Sequence, residues 1–234
     1  MRLSAVAIVV AASTVSIGTL TASRTPQAPA SGSEVYHVHF AKAAAGQAAA
    51  LGKALMEPDP ASKMPTHFIV LRHQEGDDWD YAVVQHMGTS AAVTGAAPAP
   101  NPARDLYAWH NDTFVAGPPW ADFTRQMGIG GAGTATAVYV VGVHRAVPGH
   151  RDQLLKLLSA PTPATAKVQP GAVLLAHIEG SDWTFMTVSR YNSWQEFATE
   201  RAQATPSDPG GWADIRQHSA FHRDTIADRI YPAK

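Results

Sequence analysis

The chain contains no cysteine. Disulfides, thiolate metal sites and the acylated cysteine of a lipoprotein are therefore all excluded. An excess of either charge is also missing, since 18 Lys and Arg stand against 19 Asp and Glu. With no basic run interleaved with aromatics, a nucleic-acid partner is not expected. Neither a Gly-x-Ser-x-Gly elbow, a P-loop nor a dinucleotide glycine fingerprint occurs. The glycine-rich stretch Gly128-Ile129-Gly130-Gly131-Ala132-Gly133 precedes a strand instead of opening a helix, and reads as a linker between two units. Beyond the N-terminus there is no second long apolar run, so no further membrane span is expected.

The one apolar run, Leu3 to Leu20, follows Arg2 and carries no charge. Small residues come after it at Ala22 and Ser23, and again at Ala28-Pro29-Ala30-Ser31. This is the pattern of a signal peptide with a small-x-small cleavage site. Residues 1–30 are expected to be signal peptide and linker. An uncleaved anchor is the alternative, but the Ser, Thr, Gly and Ala content makes a weak span. The mature chain is then expected in the periplasm or secreted, free of the membrane. About 200 residues remain, enough for two small domains or one fused pair.

What is present is a pattern that occurs twice. Val35-Tyr36-His37-Val38-His39-Phe40 returns as Val138-Tyr139-Val140-Val141-Gly142-Val143. His73-Gln74-Glu75-Gly76-Asp77-Asp78-Trp79 returns as His177-Ile178-Glu179-Gly180-Ser181-Asp182-Trp183, and Trp109-His110-Asn111-Asp112-Thr113-Phe114 as Phe221-His222-Arg223-Asp224-Thr225-Ile226. Three matches in one order imply two tandem units, over 34–125 and 136–230.

Alternation predicts strands at 35–41, 66–73 and 79–87 in the first unit, and at 137–145, 171–178 and 183–190 in the second. Each pair of later strands is joined by a tight turn at Glu75-Gly76 or Glu179-Gly180. Helices are expected over 43–56 and from Pro148 to Leu158, and Ser193-Trp194-Gln195-Glu196 matches a capping box that opens another to Gln203. Residues 88–103 read as a loop. The last segment of each unit, 104–115 and about 211–230, reads as a helix. No fourth strand is read after it, because residues 126–134 are glycine-rich and Tyr231 to Lys234 is short.

The expected fold class is α+β: two ferredoxin-like β-α-β-β-α units packed sheet to sheet. In order of elements and tandem arrangement, residues 34–230 resemble the dimeric α+β barrel superfamily, which includes antibiotic-biosynthesis-monooxygenase-type and haem-handling proteins. Here two units in one chain would stand in for a homodimer. The resemblance implies a cofactor-independent or haem-handling monooxygenase-type activity.

His37 and His39 share one strand face, opposite Tyr36, Val38 and Phe40, and break the repeat. With His110 they are the candidate catalytic bases. His73, Trp79, Trp109, His177, Trp183 and His222 are candidate ligand contacts, although the repeated His-x-Glu-Gly-x-Asp-Trp element reads first as a hairpin device. On a helix, His110 and Asp112 would point about 200° apart and could not chelate one ion. His218 and His222 would share a helical face, but Ser219 replaces the zincin glutamate and no third ligand is evident. No metal site is assigned, and the cofactor is unknown.

Three functions remain open: an exported small-molecule-binding protein with a cavity between the units, the monooxygenase-type enzyme, or an interaction protein whose core is filled. A small-molecule ligand is the expected partner, and the oligomeric state is open.

Overall fold

The structure, a computed structural model, describes residues 33–57, 67–89, 103–131, 136–203 and 211–232. The expected export segment and most of the 88–103 loop lie outside these residues. Eight strands are described: β1 (Glu34–Ala43), β2 (Phe68–Glu75), β3 (Tyr81–Gly88), β4 (Tyr107–Gly117), β5 (Val138–Ala146), β6 (Gly171–Glu179), β7 (Phe185–Tyr191) and β8 (Ser219–Tyr231). Five α-helices accompany them: α1 (Ala48–Met56), α2 (Trp120–Gln126), α3 (Arg151–Leu158), α4 (Trp194–Gln203) and α5 (Trp212–His218). A 3-10 turn at Arg104–Leu106 leads into β4. Among the described residues no helix is long and apolar enough to cross a membrane.

The strands close into one antiparallel barrel in the order β1-β3-β2-β8-β5-β7-β6-β4. The first half contributes β2-β3-β1-β4 and the second β6-β7-β5-β8, the same order twice. The seams are β2 with β8 and β4 with β6. Closure removes the exposed sheet edges that a single half would carry.

β4 and β8 correct the expectation of terminal helices. Residues 107–117 and 219–231 are extended, and they supply the fourth strand that each unit was expected to lack. The physical reason lies in their composition. Tyr107, Trp109, Thr113, Phe114 and Val115 are β-formers, and inward Thr113 and Val115 alternate with outward Asp112 and Phe114. Polar residues on both faces near the start of each strand hide this period of two. The helical pairing of His218 with His222 fails for the same reason, because α5 ends at His218 and His222 lies within β8.

Alternation along the strands fills the interior. Tyr36, Val38, Phe40, Ile69, Leu71, Val115, Tyr139, Val141, Leu175 and Val188 belong to one buried cluster drawn from both halves. Their burial is the main stabilising term, at about 2 kcal/mol for each large side chain. Two buried hydroxyls at matched positions are satisfied by backbone: Tyr36 donates to the Pro118 carbonyl at 2.6 Å and Tyr139 to the Met127 carbonyl at 2.9 Å. Side chains from both halves thus pack into one shared core.

Each half is locked by the other's hairpin. Gly76 (φ 131°) turns over the Asp224 carbonyl, and Gly180 (φ 124°) turns over the Asp112 carbonyl. The next backbone N–H on each turn reaches the threonine of the opposite strand, Asp77 to Thr225 Oγ1 at 3.1 Å and Ser181 to Thr113 Oγ1 at 3.3 Å. The repeated threonine is therefore a joint between halves.

Candidate functional site

The outer face of the first half-barrel carries a polar cluster. β1 lies between β3 and β4, and its ladder with β4 sets His39 directly opposite Asp112, His37 opposite Phe114 and Ala41 opposite His110. Tyr36, Val38 and Phe40 take the inner face, so His37 and His39 point outward. On β4, residues two apart share a face. His110 and Asp112 therefore stand side by side, which corrects the helical geometry that would have separated them.

The three imidazoles converge on one carboxylate. His37 Nε2 lies 2.8 Å and His39 Nδ1 2.7 Å from Asp112 Oδ1, while His110 Nδ1 lies 2.7 Å from Oδ2. Each is at the length of a charge-assisted hydrogen bond. Burial opposes the charge on Asp112, but hydrogen bonds from His37 and His39 outweigh it and hold the carboxyl far below the usual carboxylate range. Exposure is graded: the His39 side chain is 12% exposed, His37 23% and His110 48%. Tyr107 meets the His39 ring edge-on at 5.6 Å, and the His110 ring lies 5.2 Å from that of His39.

A neutral imidazole that donates one N–H to Asp112 carries a lone pair on its other nitrogen. For His110 that nitrogen is Nε2, on the most exposed of the three rings. The Nε2 of His39 is enclosed and has no protein partner. The cluster can accept a proton at its exposed edge while the carboxylate stabilises the imidazolium that results. His39, His110 and Asp112 also offer three ligand atoms within 4.8 Å of one another, so they have the composition of a metal site as well.

The other sequence-nominated residues lie elsewhere. His73 and His177 are on the inner faces of β2 and β6, at the end of the barrel closed by the two hairpins. They meet Trp79 and Trp183 edge-on at 5.7 Å and 5.8 Å. Both tryptophans are buried. Burial lowers the pKa of His177. Around this end, Lys42 pairs with Asp78 at 3.0 Å and Arg145 with Asp182 at 2.5 Å, at matched positions of the two halves. Trp109 projects to the same end, where it hydrogen-bonds Asp78. These residues form hairpin joints and do not meet the outer cluster.

His222 belongs to the second half. Its Nε2 lies 2.9 Å from Asp224 Oδ1, and its ring stacks on His144 at 4.4 Å and meets Trp212 at a tilt at 4.6 Å. There Gly142, not a histidine, faces the aspartate. A Cβ on Gly142 would come within 2.8 Å of Asp224 Oδ1 and 2.7 Å of Thr187 Oγ1, so a His39-like side chain has no room. His144 was not singled out by sequence. It is buried, its Nε2 lies 3.4 Å from Thr187 Oγ1, and burial pulls its pKa down to about 4. Asp112 was the other omission, and its role becomes visible only once 107–117 is read as a strand. A separate open groove of about 340 Å³ lies near the β2–β8 seam, beside Trp194 and the Arg72–Asp228 pair (2.9 Å), and none of the nominated residues lines it.

No protein-family model matches the sequence, and no curated protein matches it. Solved structures do share its fold. An anthrone oxidase-like protein superposes with a TM-score of 0.57 at 11% identity, over 86% of this chain and 92% of that one. A candidate monooxygenase from Fusobacterium nucleatum superposes with a TM-score of 0.56 at 7% identity, over 86% and 94%. The chain has the mixed α+β fold of the dimeric α+β barrels, with both halves in one polypeptide.

Proposed function

We propose that the chain is a monooxygenase-type enzyme that oxidises an activated carbon acid with dioxygen, using the His37/His39/His110/Asp112 cluster. The observation that carries this reading is the convergence of three imidazoles on Asp112, at 2.7–2.8 Å, on an accessible face of the sheet. The shared fold of an anthrone oxidase-like protein and a candidate monooxygenase supports it and suggests an anthrone-type methylene as substrate.

The chemistry follows from the tautomers. His110 gives its Nδ1–H to Asp112, so Nε2 is the proton acceptor. Removing a proton from a methylene flanked by aryl rings and conjugated to a carbonyl leaves a delocalised carbanion, the form that reacts with dioxygen. Carbon–oxygen bond formation gives a peroxide anion, and the imidazolium returns its proton to that anion. Loss of water then leaves a carbonyl, so CH2 and O2 become C=O and H2O. His37 and His39 keep Asp112 ionised and in place, and the carboxylate stabilises the imidazolium through the step.

Oxygen uptake by the purified chain with an anthrone as substrate tests this. Stoichiometric uptake with quinone formation, lost in His110→Ala and Asp112→Asn, is the expected result. Uptake unchanged in both variants would overturn the proposal.

A further inference from the structure

We infer that His39, His110 and Asp112 form a binding site for one divalent first-row transition-metal ion, with Zn2+ as the representative. The site is defined by geometry already built into the sheet. His39 Nδ1 and His110 Nδ1 lie 2.7 Å from the two different oxygens of Asp112. Ligands held at about 2.0–2.2 Å by a common zinc ion sit roughly 3 Å apart or slightly more. The two N–O spacings therefore need to widen by only a few tenths of an ångström, and the three ligand atoms all lie within 4.8 Å of one another. His37 Nε2, 2.8 Å from Asp112 Oδ1, supplies the hydrogen bond that fixes the carboxylate.

The donors also decide the ion. Two imidazoles and one carboxylate suit Zn2+, Co2+, Ni2+ or Cu2+, whereas Mg2+ and Ca2+ take mostly oxygen. The ligands come from adjacent paired strands, so the backbone has little freedom to lose on binding. The second half does not repeat the arrangement. Gly142 faces Asp224, and the His144 Nε2 lies against Thr187. No other such grouping occurs among the described residues, so the expected stoichiometry is one ion per chain.

One consequence rests on the function proposed above. An ion on His110 Nδ1 leaves the ring proton on Nε2, which can then no longer accept one from a substrate. Occupancy would switch the base off, and Zn2+ would act as an inhibitor of the oxidation.

The test uses the purified full chain, stripped with a chelator and dialysed. It is titrated with Zn2+ by calorimetry and with Co2+ by visible absorption. Saturation at one equivalent is expected, with d–d bands of an imidazole-ligated ion and no competition from excess Mg2+. His39→Gln and Asp112→Asn should each weaken binding at least tenfold, while His222→Gln leaves it unchanged. Circular dichroism checks that each variant is folded. Absence of saturable binding in the wild type, or binding as tight as wild type in both cluster variants, would overturn the inference. Because these readouts need no substrate, binding without oxidation sinks only the enzyme proposal, and oxidation without binding sinks only the metal site.

Discussion

Gly180 turns directly over the Asp112 carbonyl, so the hairpin of one half-barrel rests on the residue that gathers three imidazoles in the other. The matching turn, Gly76 over Asp224, has no comparable cluster beneath it. Scaffold and candidate site therefore meet at one point, and they can be perturbed separately.

Alanine at either glycine adds a Cβ at a positive φ and drives it into backbone. A loss of about 2 kcal/mol is expected for each, seen as a drop of several degrees in Tm. The two variants should part company in function. Gly180→Ala displaces the Asp112 backbone and should lower oxidation beyond what its stability loss explains, while Gly76→Ala at a temperature where it is folded should not. Equal activity per folded molecule in the two variants would contradict this coupling.

Trp79 and Trp183 were nominated as ligand contacts, yet both are buried against a histidine edge at the hairpin end of the barrel. Phenylalanine at either position should lower stability by about 1–2 kcal/mol in chemical denaturation. The KM for an oxidised substrate should not change. A raised KM with unaltered stability would return these residues to a binding role.

His144 gives the fold an acid sensitivity. Burial first and His222 second hold its pKa down from 6.5 to about 4, with Asp224 acting against them. The unfolded imidazole binds a proton near pH 6.5 and the folded one resists until near pH 4. Stability from this group is thus complete above about pH 6.5, is lost progressively as pH falls to about 4, and amounts to no more than about 3 kcal/mol. His144→Gln should flatten the pH dependence of the denaturation midpoint within that window. A wild-type slope retained in the variant would assign it to other groups, such as buried His86 and half-buried His177, whose pKa values burial also lowers.

How far the sequence was readable depended on whether the signal was local. The hairpin turns are visible in Glu75-Gly76 and Glu179-Gly180. The capping box is visible in Ser193 and Glu196, where the Glu196 N–H donates to Ser193 Oγ at 3.2 Å and the Glu196 carboxylate accepts from the Asn192 N–H at 2.8 Å. Alternation put His37 and His39 on one face. Their meeting with Asp112 depends on β1 pairing with β4, a contact 75 residues apart in the case of His37. Reading β4 as a helix cancelled that contact, because it turned His110 away from Asp112. The two misread segments contain Trp109-His110-Asn111-Asp112 and Phe221-His222-Arg223-Asp224, where polar side chains occupy both faces at the barrel end. No local period marks a strand there, and only closure of the sheet explains the pattern.

Graded exposure separates the roles of the imidazoles, and chemical rescue reads it out. His110 is half exposed, so removing its ring in His110→Ala leaves an opening that solvent imidazole can enter, with Asp112 Oδ2 ready to accept its N–H. His39 is nearly enclosed beneath Tyr107, and its deletion leaves a space that free imidazole reaches poorly. Loss of a general base costs roughly 10²–10⁴ in rate. His110→Ala should therefore lose activity on that scale and regain part of it in added imidazole, with the regained rate saturating as imidazole increases. His39→Ala should lose activity by loosening Asp112 and regain little. If imidazole restores His39→Ala as well as His110→Ala, or restores neither, His110 is not the proton acceptor and the base must be sought at His37.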